Sequence, residues 1–214
     1  MPRLSRLEIA KPDIIKLFNQ SETTIYRQKD INNIVNENRS FWRLTQSLSF
    51  SGFMEFMLNK TKLKKIVFEF SYRKETLFTW GDESLYKVIQ YIKPNSYFTH
   101  YTAVSFHELT EQIPKTIYLN FEQQKKRFKP NELEQGRIDN AFKKMVRVSN
   151  NTAIYEDVKI TIVNGKYTGE LGVLEMDDPQ GGRVNVTNIE RTLIDITIRP
   201  VYCGGVYEVL KTYR

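Results

Sequence analysis

The sequence has one cysteine, Cys203, and two histidines in 214 residues. A lone thiol closes no intramolecular disulfide and anchors no Cys-rich zinc module, so packing must hold the chain together. No run approaches the roughly 20 apolar residues of a membrane-spanning helix. The opening stretch, Met1 to Lys11, interleaves Arg3, Arg6, Glu8 and Lys11 with apolar side chains and lacks the continuous apolar core of a secretory signal. These absences make a cytoplasmic protein without membrane contact the expectation. What is present suits a packed core: 40% of residues are hydrophobic and 13% aromatic. A chain this long buries roughly 70% of its unfolded surface without staples.

The formal charge is +7, and it is unevenly placed. Residues 1–75 hold 14 Lys+Arg and 8 Asp+Glu, a net +6, whereas residues 76–214 hold 18 and 17, a net +1. A basic module joined to a near-neutral one points to nucleic-acid contact by the first part. Ordinary solvated lysines are the bland alternative.

Local patterns give the basic part an order. Pro12 and Asp13 ahead of Ile14, Ile15, Leu17 and Phe18 predict a helix over about 12–20. Gln28 to Val35 predicts a second, with Ile31, Ile34 and Val35 on one face. Ser40 is placed to cap a third beginning Phe41-Trp42-Arg43-Leu44, and Gly52 to Asn59 reads as a further helical stretch. The period then changes to two. Lys62 to Phe70 and Thr76 to Trp80 predict a hairpin tipped by Ser71 to Glu75. Helices followed by a basic-tipped hairpin is the order of a winged helix-turn-helix, in which one helix enters the major groove and its neighbours hold phosphates. On that reading Arg39, Arg43, Gln46 and Ser47 face the groove, while Lys60, Lys62, Lys64, Arg73 and Lys74 clamp phosphates.

Beyond Trp80 the pattern is mixed. An amphipathic helix is expected over 84–92 and a strand over 116–121. Asn131 and Glu134 stand at capping-box spacing for a helix over 131–145, behind a basic cluster at 123–129. Asn164-Gly165 is a hairpin signal between strands at 153–163 and 166–174. His100 and His107 are seven apart on one expected helix face and could serve as metal ligands or a base. With no acid between them in a metalloprotease spacing, structural histidines are favoured. The two glycines of Pro179-Gln180-Gly181-Gly182 lack the context of a phosphate loop. Thr187 and Glu190 form a capping-box pattern, Arg191 and Asp195 an i,i+4 ion pair, Arg199-Pro200 stops the helix, and Cys203-Gly204-Gly205 turns into a last helix. The overall expectation is an α+β protein: a winged helix-turn-helix over 1–80 and a mixed α/β domain over 81–214.

Two blocks carry a family resemblance. Asn188-Ile189-Glu190-Arg191-Thr192-Leu193-Ile194-Asp195, with Arg199-Pro200 and Gly204-Gly205-Val206, resembles the ERTLID…RP…GGV signature of AbiEi-type antitoxins. Tyr97 to Val104 with His107 to Pro114 is similar to that family's YxSHxSAxxxHGLTEQIP stretch, with Thr99 and Thr102 for serines and Glu108 for glycine. The resemblance spans about 10–213. It implies a transcriptional autoregulator and antitoxin of a type IV, abortive-infection toxin–antitoxin system, with no catalysis, cofactor or metal. The first domain would bind inverted repeats in its own promoter as double-stranded DNA. The second would oppose a nucleotidyltransferase toxin without a stable complex, with His100, His107, Glu190, Arg191, Asp195, Arg199, Gly204 and Gly205 as its motif residues. Family members often continue past this point, so a short or truncated member is implied. The competing readings are a metal-dependent nuclease using Glu122, Asp139, Glu190 or Asp195, and a protein-interaction module.

Overall fold

A computed structural model describes residues 5–125, 134–144 and 146–214. The fold is α+β, and the chain divides into two compact units. One comprises the residues up to Glu69 with Arg73–Ile92, the other Phe70–Tyr72 with the residues from Lys93 on.

The first unit runs α1 (Arg6–Gln20), β1 (Ile25–Arg27), α2 (Gln28–Asn38), α3 (Phe50–Lys60), β2 (Leu63–Phe70), β3 (Arg73–Trp80) and α4 (Leu85–Ile92). Helix α1 begins earlier than Pro12 suggested. Ser5 caps it by accepting from the Glu8 amide at 3.2 Å, and Pro12 lies inside. Ala10, Ile14 and Phe18 are its buried stripe. The strands lie in the order β1-β3-β2, and β1, unmarked in the sequence, pairs antiparallel with β3. The core gathers Phe18, Tyr26, Ile31, Trp42, Phe53, Met57 and Trp80. Phe18 meets Tyr26 edge-on at 5.2 Å, and Trp42 stacks on Phe53 at 6.1 Å.

The helix expected at 40–47 is absent. The Arg43 amide bonds the Ser40 carbonyl and the Leu44 amide bonds the Arg39 carbonyl, which is the paired closure of a Schellman stop. Arg43 takes the left-handed position, at φ +51°. Burying Trp42 and Leu44 on either side of it favours this turn over another helical turn. The boundary expected at 80/81 also moves, because α4 belongs to the first unit. Val88, Ile89 and Ile92 are buried, and the Arg27 guanidinium donates to the Tyr91 and Ile92 carbonyls at 3.1 and 2.9 Å. Those are orphan acceptors of a helix C-terminus.

The second unit runs β4 (Ser96–Phe98), α5 (His100–Phe106), β5 (Thr116–Glu122), α6 (Gln135–Lys143), β6 (Thr152–Tyr155), β7 (Val158–Gly165), β8 (Val173–Asp177), β9 (Arg183–Thr187), α7 (Ile189–Ile198), a 3-10 turn (Pro200–Cys203) and α8 (Val206–Thr212). Its strands lie in the order β6-β7-β5-β4-β9-β8. The β5/β7 and β4/β9 pairs are parallel, and β4/β5, β6/β7 and β8/β9 are antiparallel. Val104, Ile196, Cys203 and Val209 form the cluster that joins α5, α7 and α8.

Asn164-Gly165 is not a turn. Both residues are in β7, where Asn164 registers with Phe121 and Gly165 with Glu122 of the parallel strand β5. The chain reverses instead before β7, at Glu156-Asp157, and Pro179 to Gly182 closes the β8/β9 hairpin. Residues 166–172 are loop rather than strand. Of the capping box expected at 131–134, Asn131 lies outside the described residues, as does most of the basic cluster over 123–129. Glu134 makes no side-chain cap bond.

Candidate functional site

The residues read from sequence as DNA contacts fall on the turn before α3, the end of α3 and the hairpin. Arg39 is committed to structure: its guanidinium donates to the Thr45 carbonyl at 2.7 Å and to that of Leu48, holding the α2–α3 turn. Arg43, Gln46 and Ser47 are exposed on that turn, with Ser47 Oγ on Thr45 Oγ1 at 3.2 Å. Three cations carry acidic partners: Lys64 pairs with Asp82, Arg73 with Glu75 at 2.9 Å and Lys74 with Glu69 at 2.5 Å. These pairs are largely exposed and worth about 0–1 kcal/mol each, so a phosphate could compete for the cations. Lys60 and Lys62 are exposed without an ion pair among the described residues. The Lys62 ammonium sits 5.2 Å over the Trp80 ring.

In the second unit, four of the eight motif residues meet. His100, Arg191, Asp195 and Arg199 line one cavity of about 450 Å³, with Asn120, Lys166 and Thr168. The others do not. His107 ends α5, and its Nε2 lies 2.6 Å from the Thr187 carbonyl, so that nitrogen carries the proton and donates. Glu190 is exposed in the first turn of α7. Gly204 and Gly205, at φ +76° and +104°, make the turn into α8. The expected Thr187–Glu190 capping box shifts by one residue. Asn188 is the cap, accepting from the Arg191 amide at 2.9 Å, and Thr187 is buried against Thr192, hydroxyl to hydroxyl at 2.8 Å.

The Arg191–Asp195 pair is not the surface pair that its spacing suggested. Both side chains are only 16% exposed. Arg191 Nε donates to Asp195 Oδ1 at 2.9 Å, and its terminal nitrogen reaches Thr168 Oγ1 and the Leu171 carbonyl at 3.1 and 3.0 Å. Asp195 Oδ2 accepts from Thr99 at 3.0 Å. Burial disfavours the Arg191 charge, but the Asp195 carboxylate outweighs it and raises the guanidinium pKa further.

The loop after β7 is tied down by Glu122. Its carboxylate accepts from the amides of Thr168, Gly169 and Glu170 at 2.7, 2.9 and 3.3 Å, from the Thr168 hydroxyl, and from Tyr97 at 3.0 Å. Partial burial works against its charge, and these bonds overcome that and hold its pKa below the ordinary value. Asn120, buried on β5, lies where Gly165 leaves room: a Cβ at Gly165 would stand 2.6 Å from its amide oxygen. Gly165→Ala should therefore displace Asn120 and cost about 1–3 kcal/mol, read as a lower urea midpoint at unchanged slope.

His100 is the strained member. It sits at φ +53°, a conformation that costs a non-glycine residue on the order of 1–3 kcal/mol. The side chain is 5% exposed and packs edge-on against Tyr202 at 5.0 Å. Among the described residues Nδ1 is buried with no hydrogen-bond partner. Burial, then the Arg199 and Arg191 charges, push its pKa down to about 3, so the ring is neutral near pH 7. In the unfolded chain it titrates near 6.5. The unfolded state therefore gains a proton first on acidification. His100 thus makes stability fall by up to about 1.4 kcal/mol per pH unit from roughly 6.5 down towards 3. His100→Asn, which tolerates the left-handed backbone, should flatten that slope in urea titrations at pH 7, 6 and 5.

The carboxylates named for a nuclease do not converge. Glu122 and Asp195 are bonded as above, Asp139 accepts from Gln135 at 2.8 Å, and Glu190 faces solvent. Among the described residues no three His, Cys, Asp or Glu side chains group as a metal site. Sequence reasoning missed Asn120, Lys166 and Thr168. Helix α3 is legible in the sequence as a helix but not as the element behind the basic turn. No described helix is long and apolar enough to cross a membrane. Compared with known proteins, the chain matches no family model and no curated protein.

Proposed function

We propose that the first unit is a winged helix-turn-helix that binds double-stranded DNA at the promoter of its own operon, making the protein a transcriptional autorepressor. The observation that carries this reading is the order α1-β1-α2-α3-β2-β3 with exposed cations at the α2–α3 turn, the end of α3 and the hairpin. In such a module the second helix of the helix–turn–helix pair enters the major groove. Here that is α3, entered through the turn that Arg39 holds. Ser51, Glu55 and Asn59 are exposed on α3 and would face base edges. Arg43, Lys60 and Lys62 would contact phosphate.

The two sequence blocks that resemble AbiEi-type antitoxins support the second half of the proposal. The second unit acts, without catalysis, as the antitoxin against a nucleotidyltransferase toxin encoded beside it, and forms no stable complex with that toxin. Both tasks place the protein in the cytoplasm. The test is a reporter driven by the DNA upstream of its own reading frame, with the chain supplied in trans. Repression relieved by Arg43→Ala supports the proposal, and an unrepressed reporter contradicts it. Rescue of cells expressing the neighbouring reading frame tests the antitoxin half separately.

A further inference from the structure

We propose that the second unit binds a small organic phosphate, of nucleoside monophosphate size, in the cavity lined by His100, Asn120, Lys166, Arg191, Asp195 and Arg199. A volume of about 450 Å³ lies in the range of small-molecule sites. The charges within it do not balance: Arg191 is committed to Asp195, which leaves Lys166 and Arg199 with no ion-pair partner among the described residues. Arg199 is half-buried, at the C-terminal end of α7. A half-buried guanidinium without a carboxylate is costly unless an anion completes it, and its planar fork matches phosphate oxygens in pairs.

A second, independent feature points the same way. The His100 imidazole is buried and neutral, and among the described residues its Nδ1 has no hydrogen-bond partner. A neutral ring offers one donor and one acceptor, and a strained backbone holds it at the cavity wall. The polar Asn120 side chain lines the same cavity. Leu171, Ile194 and Ile198 make the remaining wall apolar. Two unneutralised cations, polar groups with both senses of hydrogen bond and an apolar wall together describe a phosphate joined to a flat, hydrogen-bonding body. A bare inorganic anion would leave His100, Asn120 and the apolar wall unused, and a neutral apolar ligand would leave the cations bare.

The inference stands apart from DNA binding and is tested without DNA. Titration calorimetry of the full chain with AMP, GMP, CMP, UMP and inorganic phosphate, each alone, should show one-to-one binding of at least one nucleotide, with Kd below about 1 mM. Lys166→Ala, in an exposed loop position, and Arg199→Ala should each weaken it about tenfold or more while circular dichroism is unchanged. Should Arg199→Ala fail to fold, Lys166→Ala alone decides. Absence of heat with all four nucleotides overturns the proposal. So do nucleotide binding unaltered in the folded variants and inorganic phosphate binding as tightly as the nucleotides.

Discussion

Arg191→Ala is expected to destabilise the chain by about 3 kcal/mol or more, the cost of leaving one member of a buried ion pair without the other. Asp195 would keep a single described donor, the Thr99 hydroxyl, for a carboxylate that is 16% exposed. The Thr168 hydroxyl and the Leu171 carbonyl would lose a partner in the same step. The pair is also a positioning device, since Arg191 fixes the first turn of α7 against the loop that Glu122 clamps. Chemical denaturation reads the effect, and two controls separate its causes. Arg183→Ala breaks exposed pairs with Glu175 and Asp177 and should move stability by less than about 0.5 kcal/mol. Replacing both partners, Arg191→Met with Asp195→Leu, removes the uncompensated charge and should recover much of the loss. A single variant within about 0.5 kcal/mol of the parent would show that the pair is effectively solvated.

The second large effect is on DNA. Replacing Lys60 and Lys62 together by alanine is expected to reduce promoter affinity about tenfold or more near 0.1 M salt. It should also flatten the slope of log K against log salt by about 2, because each phosphate contact releases close to one counterion. Neither lysine is neutralised by a carboxylate among the described residues, unlike Lys64, Arg73 and Lys74. Binding to unrelated DNA should fall in parallel, since phosphate contacts carry no sequence information. Anisotropy titrations at several salt concentrations give both numbers. An unchanged slope would remove the end of α3 from the docking face.

Much of the fold was legible because it is written in short-range periodicity. The two-residue alternation of 62–70 and 76–80 became β2 and β3, and the apolar spacing of 28–35 and 52–59 became α2 and α3. Failures came where a distant contact decided the outcome. Asn164-Gly165 has the dipeptide of a tight turn, yet the glycine serves to admit Asn120 from a strand more than forty residues earlier. Arg43 has no residue-level signature of a left-handed stop, which a glycine or asparagine would have supplied. Ser5 and Glu8, by contrast, stood at capping-box spacing and marked the true start of α1, but Pro12 drew the boundary inward. The cavity was half legible. The blocks around His100 and Arg191 stood out as strings, but their meeting depends on Thr99 reaching Asp195 across 96 positions. Lys166 and Thr168 lie in a loop with no local mark of a site.

A promoter-binding repressor must distinguish its own upstream DNA from other duplexes. The full chain is titrated by fluorescence anisotropy against the DNA upstream of its own reading frame and against a scrambled duplex of equal length and composition. Binding to the upstream fragment is expected to be at least about 10³-fold tighter than to the scrambled duplex, with both affinities falling as salt rises. Equal affinity for the two duplexes, or none for either, would contradict it.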